Sequence, residues 1–254
     1  MSIYGFLAVR DNVDCLRNYV FNHSREHALQ IGSDSRILPL ISPVRSISAR
    51  YDALVEYSIR VKNDADDGTD EDHDLIDGCF EFKLFPLDPN IMNLKSRIFG
   101  PYGPVDIEYL ILREAVEATV DVRIKRAVKG YHLTAVTAFS SGYQDGILLY
   151  KRWPGSSSHA AVSEGGPASS PLSTTAALVA SLASSSVVAV SWGAELTLKF
   201  DVSVEGRHGR RGVKRTVSHD LSFTSRKYGS SCKALFMGER FELVADVTWS
   251  TLGE

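Results

Sequence analysis

Apolar and polar residues alternate with a period of two along most of this chain. From Val116 to Lys125 the even positions are small or apolar and the odd ones polar. Leu196, Leu198, Phe200, Val202 and Val204 interleave in the same way with Glu195, Thr197, Lys199, Asp201 and Ser203. Successive side chains of a strand point to opposite faces, so each such segment buries one face and wets the other. The pattern predicts an antiparallel all-β protein, built as a β-sandwich or a barrel-like pair of sheets.

Strands are expected at 3–9, 17–22, 36–41, 44–49, 53–62, 77–85, 95–99, 105–112, 115–126, 131–139, 146–151, 186–191, 194–204, 214–223, 232–237 and 240–250. Gly, Pro, Asn, Asp and Ser punctuate them, as turns require. Leu110–Ala118 has helical propensity, but the alternation running on to Lys125 favours strand. Between Pro154 and Ser186 the composition changes to Ser, Ala and Gly, with Pro167 and Pro171 and few residues able to pack. That stretch reads as a long Ser/Ala-rich flexible loop, with at most a short helix over Ala176–Ala183. Residues 1–254 are therefore expected to form a single β-rich domain with an insertion at 154–186, since neither flank alone resembles a complete sandwich.

A chain of 254 residues with 44% hydrophobic content has enough apolar surface for a core without metal or disulfide support. The net charge of −3 argues against nucleic acid or a membrane surface as the main partner. Cys15, Cys79 and Cys232 are too few and too scattered for a disulfide framework, and an odd count suits a reducing compartment. The N-terminus begins in strand-like sequence without the features of a secretory signal, and the apolar tract Leu178–Trp192 is serine-broken and too short to span a bilayer. The expected location is cytoplasmic or nuclear, so the sequon Asn22-His23-Ser24 has no glycosylation role.

Three clusters carry candidate chemistry. The acidic run contains Asp64, Asp66, Asp67, Asp70, Asp72 and Asp74 around Gly68. Calcium prefers several oxygen ligands, yet an EF-hand alignment on Gly68 puts Ala65 at a ligand position and Asp74 where a bidentate Glu belongs. A solvated hairpin tip accounts for the same charges. The basic run Arg207, His208, Arg210, Arg211, Lys214 and Arg215 offers an anion or nucleic-acid patch, but without the interleaved aromatics that stack bases. It reads as a charged, flexible hairpin loop. His23 and His27, with Cys15 upstream, have helical ligand spacing in a stretch that reads as strand and turn, and lack a fourth zinc ligand. No nucleophile elbow, phosphate loop or dinucleotide turn occurs, and no resident cofactor is expected. Tyr57, Phe80, Phe82, Phe200, Phe223, Phe241 and Trp249 fall at strand positions expected in the core.

Three further stretches carry a resemblance. They are Tyr4–Asp11 with Asn18-Tyr19-Val20-Phe21, then Pro43-Val44-Arg45 before Tyr51-Asp52, then Ala138–Gly142. The first is similar to the G-x-x-A-x-R-D … N-x-x-F opening of a plant domain of unknown function, numbered 6598 and expanded in grasses. Phe223-Thr224, Tyr228-Gly229 and Val247–Ser250 complete the similarity over nearly the whole chain. The resemblance implies an all-β fold without established activity, sometimes fused to ribosome-inactivating N-glycosidases. The glycosidase chemistry does not carry over, because Glu114-Ala115-Val116-Glu117 has Glu where the toxin helix has Arg. Relative to the family the N-terminus starts late, and a missing first strand would leave an exposed sheet edge. The function expected is a non-enzymatic protein-interaction module in plant defence or stress. The alternatives are a glycan- or calcium-dependent binding module near Asp64–Asp77, and a ribosome-directed accessory or N-glycosidase-associated protein.

Overall fold

The computed structural model describes residues 1–32, 37–63, 71–82, 92–140, 143–152, 180–181, 185–208 and 211–251. These residues gather round two cores, in compact units spanning Met1–Arg113 and Glu114–Thr251. Among the described residues every paired strand is antiparallel and no sheet closes into a barrel.

The first unit contains β1 (Ser2–Arg10), β2 (Asn18–His23), β3 (Leu29–Gln30), β4 (Ala53–Lys62), β5 (His73–Phe82), β6 (Met92–Gly100) and β7 (Gly103–Ile111). Its main sheet has the order β2-β1-β4-β5, with β3 also on β1, and β6-β7 form a separate ribbon. β1 is thus an inner strand with partners on both sides. Ile3, Leu7, Phe21, Tyr57, Ile59 and Ile76 line the core, and Ile98, Val105 and Ile107 of the ribbon pack against them. Gly5 sits within this face at φ +114°, where a Cβ would lie 2.0 Å from the Ser58 carbonyl oxygen of β4. Only glycine fits so close to a neighbouring backbone in that conformation.

β8 (Ala115–Ala127), β9 (Tyr131–Ser140), β10 (Tyr143–Lys151), β11 (Ala180–Ser181), β12 (Ser186–Ser191), β13 (Glu195–His208), β14 (Arg211–Thr224), β15 (Gly229–Met237) and β16 (Phe241–Ser250) make the second unit. One sheet has the order β10-β9-β13-β14; the other runs β11-β8-β16-β15, with β12 also on β8. Val116, Ala118, Val120 and Val122 of β8 meet Leu196, Leu198, Phe200 and Val202 of β13 in one buried cluster with Phe241 to Trp249 of β16. Two sheets sharing one core in this way form a β-sandwich. Each large side chain so buried contributes about 1.5–3 kcal/mol.

The expected strands at 53–62 and 186–191 match β4 and β12 to the residue. Those expected at 36–41 and 44–49 are absent: residues 37–52 contain no strand. Pro39 and Pro43 remove the backbone donors that a ladder needs, which confines these residues to an irregular segment. Most of the expected 154–186 loop lies outside the described residues. Its end includes Ala180–Ser181, which pair with Ile124 and Arg123 of β8.

Candidate functional site

The polar residues of the family-like motif converge on one latch in the first unit. β1 ends at Arg10 and places Asp11 in the turn toward β2, with its side chain only 1% exposed. Asp11 Oδ1 accepts from the backbone N–H groups of Val13 (3.1 Å) and Asp14 (3.2 Å), which shapes the turn. Arg45 approaches from across the unit as a fork, donating to both carboxylate oxygens at 2.7 Å, and Ser48 N–H adds a further 2.7 Å bond. Burial pushes the Asp11 pKa up, but the hydrogen bonds from Arg45, Ser48 and Asp14 outweigh it and hold the carboxyl below its ordinary value.

Asn18 completes the latch: its Nδ2 donates to the Arg45 carbonyl (2.7 Å) and its Oδ1 accepts from Val44 N–H (3.0 Å). Ile41 N–H reaches the Val20 carbonyl at 2.8 Å. The irregular segment 41–48 is thereby fastened beside β2 by side chains and this single backbone bond rather than by a ladder. Beside it, Glu56 receives Arg10 (2.6 Å) and Arg17 (3.1 Å), and the Arg17 guanidinium lies 4.4 Å from the Phe6 ring centroid. Bidentate pairing and stacking of this kind suit arginine's planar fork.

Fastening this segment leaves its aliphatic side chains outside. Ile37, Leu40 and Val44 are exposed, Val44 to 89%, and Val13 and Leu16 are exposed on the neighbouring β1–β2 turn. Sequence reasoning missed these residues because it read 36–41 and 44–49 as strands, whose pleat buries alternate side chains. The signal was the pair Pro39 and Pro43 inside the apolar run.

The sequence-predicted clusters come apart. Asp64, Asp66, Asp67 and Asp70 of the acidic run lie outside the described residues. Asp72 accepts from Tyr4 Oη (2.6 Å), from Arg25 Nε (2.6 Å) and from Asn63 N–H (3.0 Å). Arg25, Tyr4 and the Asn63 amide together hold its carboxyl far below the carboxylate range. Asp74 pairs with Arg60 at 2.6 Å. These two carboxylates hold arginines, and among the described residues no group of three or more His, Cys, Asp or Glu is placed to share a metal ion. His23 Nδ1 lies 3.1 Å from the His27 carbonyl, and His27 Nδ1 lies 3.1 Å from Ser24 Oγ.

In the basic run, Arg210 lies outside the described residues. The others belong to a ladder rather than a loop: the register pairs Arg207 with Gly212, His208 with Arg211, Glu205 with Lys214 and Val204 with Arg215. Lys214 and Arg215 are exposed, and as consecutive strand residues they face opposite sides of the sheet. The toxin-like Glu114 stands in a turn at φ +46°, and Ala115-Val116-Glu117 open β8 in place of a helix.

Fold and site together define a two-unit all-β scaffold with a structural latch in its first unit. The chain belongs to the family described as Domain of unknown function (DUF6598), whose model matches residues 1–244 and so takes in most of both units. No curated protein and no solved structure matches it.

Proposed function

We propose that this chain is a non-enzymatic protein-interaction module that docks a partner on the latch of its first unit. The observation that carries the reading is the exposed pair Val13 and Val44, on backbone that Asp11 and Asn18 hold, together with the exposed Leu16, Ile37 and Leu40 of the same two segments. Apolar side chains displayed on a pre-ordered surface characterise protein-binding sites, because little conformational entropy is lost on docking. Three unpaired, exposed thiols support a reducing compartment, cytoplasm or nucleus. No helix among the described residues is long and apolar enough to cross a membrane. A role in plant defence or stress rests on the family resemblance.

The test is capture from leaf extract with the tagged wild-type chain and with Val44→Asp, followed by binding of the purified partner. Placing a carboxylate at the docking surface removes about 2 kcal/mol or more of apolar contact, so the partner's affinity falls at least about 30-fold. Val44 is exposed, so the variant's melting temperature stays at the wild-type value. A partner that binds Val44→Asp as tightly as wild type, or the absence of any reproducible partner, overturns the proposal.

A further inference from the structure

Two strands that follow each other in the chain end the two sheets of the second unit. Among the described residues β14 is the last strand of one sheet and β15 of the other, and Ser225–Tyr228 carries the chain between them. A terminal strand leaves one row of backbone N–H and C=O groups without a neighbouring strand, ready to pair with another chain. β14 is charged along its length, at Arg211, Lys214, Arg215 and Asp220. β15 has no proline and a single charged residue, Lys233, at its centre.

The register sets Lys233 opposite Ala245 of β16, between Ser231 opposite Val247 and Leu235 opposite Leu243. Directly opposed residues of an antiparallel pair share a face, and Leu243, Ala245 and Val247 are core residues. Lys233 therefore leaves β15 on its core side, where the alternation calls for an apolar residue. Its ammonium lies 5.3 Å from the centroid of the buried Phe223 ring and donates to the Ser222 carbonyl of β14. One side chain thus links the two terminal strands.

Covering Phe223 does not require a charge, since an unbranched apolar stem would do so as well. What the ammonium adds is a positive charge in the middle of an edge whose other residues suit self-pairing. Cys232 and Phe236 are exposed on the outer face of β15, and Leu235 is buried on the inner one. Two copies of β15 laid antiparallel over their full length bring Ser231 opposite Leu235 and Lys233 opposite its own counterpart. Like charges placed directly opposite are destabilising, and inward-pointing lysines are a known protection of sheet edges.

We propose that Lys233 is a guard on this side of the sandwich: it keeps β15 from pairing with the β15 of a second copy, and its neutralisation converts the chain into an edge-paired dimer. The guard belongs to the second unit and is independent of the docking surface proposed for the first.

The test variant is Lys233→Met, which keeps an unbranched stem for Phe223 and removes the ammonium. Sedimentation velocity of the full chain over a concentration series reports association, and hydrogen exchange read by mass spectrometry reports where it occurs. Lys233→Met dimerises at least about tenfold more tightly than wild type, with new amide protection on residues 229–237. Lys233→Arg, which restores the charge, sediments as wild type. Lys233→Gln, neutral but polar, associates as Lys233→Met does, and carries the test where the methionine variant fails to fold. A folded neutral variant that sediments as wild type overturns the proposal. So does dimerisation that leaves 229–237 unprotected, or wild type that itself protects this stretch as its concentration rises.

Discussion

Replacing Asp11 by alanine tests the latch directly. The side chain is 1% exposed and accepts five hydrogen bonds, two from Arg45 and three from backbone amides. Removing one member of a buried ion pair costs about 3–5 kcal/mol when the survivor stays dry. Arg45 is 19% exposed, and Val13 and Asp14 lie on an exposed turn, so water recovers part of the loss. The expected cost is about 2–4 kcal/mol, a large share of a typical domain's stability. With a denaturant slope of about 1–2 kcal/mol/M, the urea midpoint of the first unit falls by about 1–4 M.

Of the three tryptophans, Trp192 and Trp249 lie in the second unit and Trp153 is outside the described residues, and none falls in residues 1–113, so two probes separate the units. Far-ultraviolet circular dichroism reports both units' unfolding, whereas tryptophan fluorescence reports the second unit. Asp11→Ala should lower the first transition seen by dichroism and leave the fluorescence midpoint in place. Pairing it with Arg45→Ala should cost less than the two single changes added, because no uncompensated charge remains. The folded carboxyl has a lower pKa than the unfolded one, so its contribution is complete above about pH 4–5 and fades as acid protonates the latch. The wild-type advantage over Asp11→Ala should shrink accordingly below about pH 4. A dichroism shift under about 0.3 M refutes the latch, and equal movement of both probes refutes independent cores.

Gly5→Ala should abolish folding of the first unit or cost it more than about 3 kcal/mol, since a Cβ would collide with the Ser58 carbonyl at a φ that L residues avoid; a variant within 1 kcal/mol of wild type in urea refutes that close approach. All three thiols should react with a thiol reagent in native buffer, since Cys15, Cys79 and Cys232 are exposed. Cys232 should lag at neutral pH, because its hydrogen bond to Asp246, some loss of hydration and that carboxylate's charge push its pKa up. Equal rates for the three by mass spectrometry contradict this assignment.

The strands of the sandwich were legible because their alternation is uninterrupted. Val116 to Lys125 and Leu196 to Val204 announce both period and face, and the buried positions are the apolar ones. What escaped was set by partners distant in sequence. Asp11 and Arg45 stand 34 residues apart, and nothing local in either reveals that they meet. The motif residues Gly5, Asp11, Asn18 and Arg45 were visible as a resemblance, while their physical work shows only in three dimensions: a close approach, a buried carboxylate and a paired amide. The segment 37–48 misled for a simpler reason. Its aliphatic content outweighed Pro39 and Pro43 in the reading, whereas in the fold the missing N–H groups decided.

The pairing of β8 with β16 also has a consequence in time. Ala127 lies opposite Phe241, so an inner strand of the sandwich is supplied only after more than a hundred further residues have been synthesised. The main sheet of the first unit, by contrast, finds all its partners within residues 2–82. A ribosome making this chain therefore releases a first unit able to close early, while Val116, Ala118, Val120 and Val122 of β8 wait for β16. Long-range pairing of that kind is slow, and an unpaired apolar strand face is where aggregation begins. Losses during expression should thus trace to the second half of the chain, with the first 113 residues accumulating as the soluble, protease-resistant fragment.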